Sequence, residues 1–165
     1  MSKSEDDLKE AFAGESQANR KYLAFAAAAD KEGMPQIAKL FRAAAHAETI
    51  HAHAHLRALG GVLDTSANLN NAITGENYEV VSMYPRMIRD AEEEGNAAAT
   101  KSFRRAFEVE KIHEGLFRAA LAGMGKEQKE FDYYVCPFCG YTAEGSAPER
   151  CPVCGAKREQ FERIA

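Results

Sequence analysis

"EGMPQIAKLFRAAAHAETIH", residues 32–51, aligns without a gap on "EGNAAATKSFRRAFEVEKIH", residues 94–113. A match of this density indicates an internal duplication. In each copy a glycine suited to ending a helix is followed by residues with high helix propensity. We therefore predict two related helical hairpins with pseudo-twofold symmetry. The identical positions include Glu32/Glu94, Gly33/Gly95, Lys39/Lys101, Phe41/Phe103, Arg42/Arg104, Glu48/Glu110, Ile50/Ile112 and His51/His113.

The first 125 residues consist largely of helix-forming residue types. Pro85 predicts a kink in the third predicted helix. The polar stretch 62–70, "VLDTSANLN", has no clear period and predicts a long connection between the hairpins. The predicted fold class is therefore mainly α, a four-helix bundle with one long connection. The predicted helices span residues 4–31, 35–59, 70–94 and 96–122.

Composition places the chain among ordinary globular proteins. Of its 165 residues, 45% are hydrophobic and 28% are charged, and the net charge is -4. This mild acidity argues against nucleic acid as the main partner. The N-terminal stretch "MSKSEDDLKE" is too polar for a signal peptide, and no apolar run has the length of a membrane span. We therefore expect a cytoplasmic protein that binds neither membrane nor nucleic acid.

A change of composition near residue 125 predicts two domains. Aromatic residues, Pro, Gly and all four cysteines follow this point. The predicted division is a helical domain over 1–125, a linker over 126–132 and a small domain over 133–165.

The duplicated hairpins carry matching metal-ligand motifs. Glu48-x-x-His51 in the first hairpin corresponds to Glu110-x-x-His113 in the second. Glu15 precedes Glu48 by 33 residues and Glu76 precedes Glu110 by 34, spacings that fit a helix, a turn and a return to the same height. A Glu from each of two helices and a Glu-x-x-His from each of the others is the carboxylate-bridged dimetal arrangement. A solvated acidic face is the ordinary interpretation of a single such motif.

The segment "HAETIHAHAH", residues 46–55, offers four candidate histidines. Helical geometry places His51 and His55 on the face of Glu48, and His46 and His53 on the opposite face. The duplication pairs His51 with His113 but aligns His55 with Phe117. We therefore predict His51 as the ligand, with His46 and His53 exposed or at a subunit contact.

Three further residues remain open on spacing alone. Glu79 lies three residues after Glu76 and reaches the same helix face, as either a fifth carboxylate or a solvent-facing residue. Tyr22 and Tyr84 lie about two turns beyond Glu15 and Glu76, as core residues or as hydrogen-bond partners of the carboxylates.

The C-terminal segment contains two C-x-x-C pairs separated by eleven residues. This pattern predicts a tetrahedral four-thiolate site for iron or zinc, which would supply much of the folding energy of so short a segment. Its four ligands are Cys136, Cys139, Cys151 and Cys154.

Five stretches together resemble the rubrerythrin family, in which a ferritin-like di-iron domain precedes a rubredoxin-like domain. They are "AFAGESQANRKY", "ETIH", "TGENYEVVSMYP", "EKIH" and "YVCPFCGY…CPVCG". The resemblance implies the di-iron ligands Glu15, Glu48, His51, Glu76, Glu79, Glu110 and His113, and one iron at the four cysteines.

The resemblance also implies a function. Rubrerythrin-like proteins reduce hydrogen peroxide. By the same resemblance, Glu79 would be the carboxylate that exchanges with His51 when the redox state of the iron changes. Tyr22 and Tyr84 would form hydrogen bonds around the site. Electrons would come from an NAD(P)H-linked reductase or a rubredoxin, and the four-cysteine centre would serve the di-iron site of a partner subunit. A homodimer is the minimum assembly, with helix swapping left open.

Two other functions use the same residues. A ferroxidase would use O2 as its oxidant, although iron handling needs no attached electron inlet. A metal-stabilised binding module would hold zinc in both sites.

Overall fold

The structure is a computed structural model that describes residues 2–126 and 129–165. It divides into two compact units, Met1–Leu63 and Asp64–Ala165. The helices are α1 (Lys3–Lys31), α2 (Pro35–Ala58), α3 (Thr65–Tyr78), a π-helix (Glu79–Met83), α4 (Tyr84–Glu93) and α5 (Ala97–Gly123). The strands are β1 (Tyr133–Val135), β2 (Thr142–Glu144) and β3 (Glu162–Ile164), with a 3-10 turn at Arg158–Gln160.

The first unit is the hairpin of α1 and α2. A capping box begins α1, in which the Ser2 hydroxyl accepts from the Glu5 N–H and the Glu5 carboxylate accepts from the Ser2 N–H. The two helices approach closely because alanines fill their contact. Buried Asn19 fixes their register, since its amide donates to the Ala45 carbonyl at 2.6 Å and to Thr49 Oγ1 at 2.8 Å.

Equivalent turns end α1 and α4. Gly33 adopts a φ of 72° and Gly95 a φ of 66°, a left-handed conformation that glycine adopts without steric cost. An ion pair spans each turn: Arg42 binds Asp30 at 2.7 Å, and Arg104 binds Glu92. Every residue in the second turn lies 62 positions after its counterpart, which supports the predicted duplication.

The third helix begins earlier than predicted. It starts at Thr65 instead of near residue 70, because Asp64 caps it and accepts from the Ala67 N–H at 2.8 Å. The polar stretch 62–70 is therefore mostly helix. The connection between α2 and α3 shortens to residues 59–64, so the prediction of a long connection was wrong.

A π-helix separates α3 from α4. Tyr84 follows Glu76 by eight residues where Tyr22 follows Glu15 by seven, and one extra residue is what a π-bulge accommodates. Pro85, where a kink was predicted, lies in the first turn of α4, and the α-helical pattern is instead interrupted just before it, over Glu79–Met83.

The extra residue leaves the aromatic packing of the two hairpins equivalent. The ring centroids of Tyr22 and Phe41 lie 6.2 Å apart, and those of Tyr84 and Phe103 lie 6.3 Å apart. The π-helix therefore adds Glu79 to the second hairpin while Tyr84 keeps its place.

A small antiparallel sheet of order β2-β1-β3 carries the cysteine loops. It packs against α5 through Val109, which is 2% exposed and lies next to Gly140. A Cβ at Gly140 would meet Val109 Cγ1 at 3.6 Å, and its φ of 85° also favours glycine. Both features bring the first cysteine loop close to the helix.

The linker predicted at 126–132 includes residues 127 and 128, which lie outside the described residues. The predicted domain boundaries stay a prediction. Across the residues that the structure describes, none of the helices is long and apolar enough to cross a membrane.

Candidate metal centres

Glu15, Glu48 and His51 form a trio of potential ligands between α1 and α2, with one ligand atom from each lying within 4.8 Å of the others. His51 Nδ1 lies 3.0 Å from Glu48 Oε2 and 3.8 Å from Glu15 Oε1. Glu48 and His51 meet because three residues separate them on α2. The turn between α1 and α2 then brings Glu15 close to His51.

The second hairpin repeats this trio with Glu76, Glu110 and His113. His113 Nδ1 lies 2.8 Å from Glu110 Oε2, matching the contact in the first hairpin. The six Glu and His residues predicted from the duplication thus form two trios, one within each unit. Their role as ligands stays a prediction.

Electrostatics in the second trio fit a cation. Burial raises the pKa of Glu76 to about 7, and hydrogen bonding and charge repulsion from Glu110 add to this rise. Glu76 Oε2 is buried without a hydrogen-bond partner among the described residues. Packed carboxylates with a buried unpaired oxygen carry a desolvation cost that a divalent metal ion removes. The donors, carboxylate oxygen and imidazole nitrogen, suit iron.

The hydrogen bond between Glu110 and His113 moves their pKa values apart. It lowers the pKa of Glu110 and raises that of His113, because each charged form stabilises the other.

Glu79 lies in the π-helix near the second trio. Burial raises its pKa, and the charge of Glu110 raises it further. Burial also raises the pKa of Tyr84, followed by the charges of Glu79 and Glu110. The Tyr84 hydroxyl therefore stays protonated at neutral pH. The ring of Tyr22 packs against Phe41.

His51 is itself exposed, so exposure does not separate it from the other histidines of the segment 46–55, and their roles stay a prediction. His46 and His53 are exposed, and His55 is half-buried one turn beyond His51.

The four cysteines form one compact group. Cys136 Sγ lies 3.5 Å from Cys154 Sγ, and Cys139 Sγ lies 3.5 Å from Cys151 Sγ. The burial of Cys136 and Cys139 raises the pKa of both thiols, so a cation is needed to hold four thiolates together. The donor set and spacing fit a tetrahedral metal.

Thr142 connects the two kinds of centre within the second unit. Its Oγ1 donates to the Gly140 carbonyl at 3.1 Å and lies 3.0 Å from His113 Nε2. The four-cysteine domain thus contacts the trio of its own chain, where the resemblance suggested the site of a partner subunit. No sequence pattern pointed to Thr142, because this contact joins residues 29 positions apart in different elements.

Comparisons with known proteins agree with these centres. The rubrerythrin family model matches residues 6–121, and the model of its rubredoxin-like domain matches residues 134–162. Rubrerythrin-2 of Clostridium acetobutylicum is 36% identical over 95% of this chain and 94% of its own length. Rubrerythrin of Porphyromonas gingivalis is 38% identical over 98% of this chain and 90% of its own.

Solved structures give the same result. The structure titled as the fully reduced, all-ferrous state of nigerythrin has a TM-score of 0.61 and 34% identity, over 99% of this chain and 88% of that one. The fold and the donor groups define a ferritin-like di-iron protein with a rubredoxin-like four-cysteine iron domain. The chain belongs to the rubrerythrin family. It is therefore an oxidoreductase whose family binds iron in both kinds of site.

Proposed function

We propose that this protein reduces hydrogen peroxide to water, as part of oxidative-stress defence, with electrons relayed from the four-cysteine centre to the di-iron site. The observation that carries the proposal is the hydrogen-bonded path from Gly140, next to Cys139, through Thr142 to His113. An iron store has no need of such a path, whereas an enzyme that must be re-reduced after each peroxide does. The proposed di-iron ligands are Glu15, Glu48, His51, Glu76, Glu79, Glu110 and His113.

When bound, two irons supply the two electrons that cleave the O–O bond, and the four-thiolate iron returns electrons singly. The protein orients these centres. His113 presents Nδ1 toward Glu110 and Nε2 toward Thr142, so its ring contacts a carboxylate of the trio on one side and the four-cysteine domain on the other. Tyr84 keeps its proton beside the carboxylates and would donate a hydrogen bond to them in the metal-loaded site. In this proposal Glu79 would hold the iron in the oxidised site and His51 in the reduced site, since a carboxylate better balances the added charge.

Chain reach supports a homodimer in which hairpins are exchanged. In a ferritin-like bundle the crossover returns along the bundle. For Glu48 and Glu76 to lie at the same height, the connection between α2 and α3 has to run back about 32 Å, because residues 48–58 and 65–76 together rise by that length along their helices. The segment from Ala58 to Thr65 spans at most about 25 Å. We therefore propose that each di-iron site combines the first hairpin of one chain with the second hairpin of its partner.

The electron source in this proposal is a separate donor, a rubredoxin or a reductase that uses NAD(P)H. Four reduced cysteines held for metal suit a reducing compartment, so we place the reaction in the cytoplasm.

Peroxide consumption by reduced protein tests this function. Iron-loaded, fully reduced protein is mixed anaerobically with hydrogen peroxide, and the peroxide remaining is measured. We expect rapid consumption by wild type and by His53→Ala, a matched control on the same helix. His51→Ala should consume peroxide far more slowly.

Two results would overturn the proposal. Equal rates for His51→Ala and His53→Ala would exclude the trio as the reacting site. Faster oxidation by O2 than by peroxide would favour a ferroxidase.

A further inference from the structure

The surface beside the four-cysteine centre is basic, although the chain has a net charge of -4. Lys101 and Arg105 lie one turn apart on the same face of α5. Together with Phe138 and Cys139 they line a surface groove of 530 Å³. Arg105 and Phe138 also line a second groove of 290 Å³, which reaches Cys154. We name Lys101, Arg105 and Phe138 the entry surface.

The entry surface reaches the cysteines that face solvent. Cys136 and Cys151 are buried, at 1% and 3% exposure, whereas Cys139 and Cys154 are half-buried. Phe138 lies between the two cysteines of the first pair and is 55% exposed. A partner seated on Phe138 would therefore approach the accessible edge of the thiolate cluster.

The charge of the entry surface is not balanced locally. Among the described residues, no acidic side chain lines either groove, and neither Lys101 nor Arg105 forms an ion pair. Two acids lie close by, and both are already paired: Glu92, which lines a neighbouring groove with Lys101 and Arg105, binds Arg104, and Glu108, one turn along α5 from Arg105, binds Lys111. Two unpaired cations around an exposed aromatic ring suit a partner with carboxylates surrounding an apolar contact.

The duplication shows that this basic pair is particular to the second hairpin. Lys101 has a counterpart in Lys39, but the residue equivalent to Arg105 is Ala43. Only the hairpin that contacts the four-cysteine domain carries both cations.

We propose that the entry surface docks an acidic one-electron donor protein, an inference that rests on the proposed function. In the encounter the donor loses one electron and the four-thiolate iron passes from ferric to ferrous, with no atom or proton transferred. A reduced nicotinamide gives up a hydride, a two-electron unit, so a one-electron centre calls for an intervening protein.

The test follows reduction of the four-cysteine iron without peroxide, so its result does not depend on the peroxidase reaction. Oxidised protein is mixed anaerobically with a reduced acidic rubredoxin, and bleaching of the thiolate-to-iron band is recorded. Lys101→Glu/Arg105→Gln should slow the second-order rate at least tenfold at low ionic strength, and added salt should slow wild type. Lys39→Glu, the matched control in the first hairpin, should leave the rate unchanged.

A second measurement removes redox chemistry. Full-length protein with zinc in the four-cysteine site is titrated with the same rubredoxin, and we expect the double variant to bind more weakly than Lys39→Glu. Reduction by the methyl viologen radical cation should not slow in the double variant, which shows that its metal site is intact.

Three outcomes would overturn the proposal. They are equal rates with rubredoxin in the double variant and the control, a wild-type rate independent of salt, and direct bleaching by NADH that the double variant loses. The last result would make the groove a nucleotide site.

Discussion

His113 Nε2 lies 3.0 Å from Thr142 Oγ1, while Nδ1 of the same ring lies 2.8 Å from Glu110 Oε2. One imidazole thus contacts the carboxylate trio on one side and the cysteine-bearing domain on the other. Because Thr142 also donates to the Gly140 carbonyl, the contact continues to the loop that holds Cys139. The position of His113 links metal binding to domain docking.

Removing the Thr142 hydroxyl should weaken this link. Thr142→Val keeps the side-chain volume but leaves His113 Nε2 without its partner, at a cost of about 1 kcal/mol. We expect a lower thermal midpoint and slower re-oxidation of the four-cysteine iron after peroxide is added. Thr142→Ser should restore both. Identical electron transfer in Thr142→Val and wild type would rule out this path.

Glu79→Gln tests the carboxylate that the π-helix adds. We expect iron content close to wild type and slower repeated turnover with peroxide, because the oxidised site loses a negative ligand. Glu93→Gln is the control, since it makes the same charge change at an exposed position on α4. Unchanged turnover in Glu79→Gln would assign Glu79 to solvent.

The metal-free protein should lose stability as pH rises from 5 to 8. The folded-state pKa of Glu76 is raised to about 7 from 4.5, so deprotonation through this window disfavours folding. The raised pKa of His113 acts in the same direction, since its stabilisation is lost as pH rises through that value. Thermal melts should show this fall, which Glu76→Gln reduces. A rise in stability with pH over this window would contradict the assignment.

Exchange of hairpins can be tested by mixing two inactive variants. Glu48→Ala/His51→Ala damages the first hairpin, and Glu110→Ala/His113→Ala damages the second. In an exchanged heterodimer, one site receives both intact hairpins, so co-refolding should restore part of the peroxide consumption. With each bundle formed by one chain, every site keeps a damaged trio and no activity returns.

The sequence was sufficient where the determining interactions are local. The turns at Gly33 and Gly95, the Glu-x-x-His pairs and the cysteine spacing all act within one or two helical turns or one loop. The duplication then supplied the longer-range pairing of α1 with α2, because helix lengths fix which residues meet across a turn.

Other features depended on information that the sequence pattern did not show. The start of α3 was missed because Asp64 caps a polar helix with little apolar periodicity. The π-helix had one signal, the eight-residue spacing from Glu76 to Tyr84, which helical geometry alone did not resolve. The contact of Thr142 with His113 depends on how the sheet packs against α5, which no local pattern encodes.

The central claim is that the two iron centres act together to reduce peroxide. The most direct measurement is anaerobic stopped-flow of fully reduced, iron-loaded protein against hydrogen peroxide and against O2, following the visible thiolate-to-iron band. We expect this band to appear quickly with peroxide and slowly with O2, because the di-iron site draws electrons from the four-cysteine iron. A faster response to O2, or no thiolate-to-iron band at all, would contradict the account.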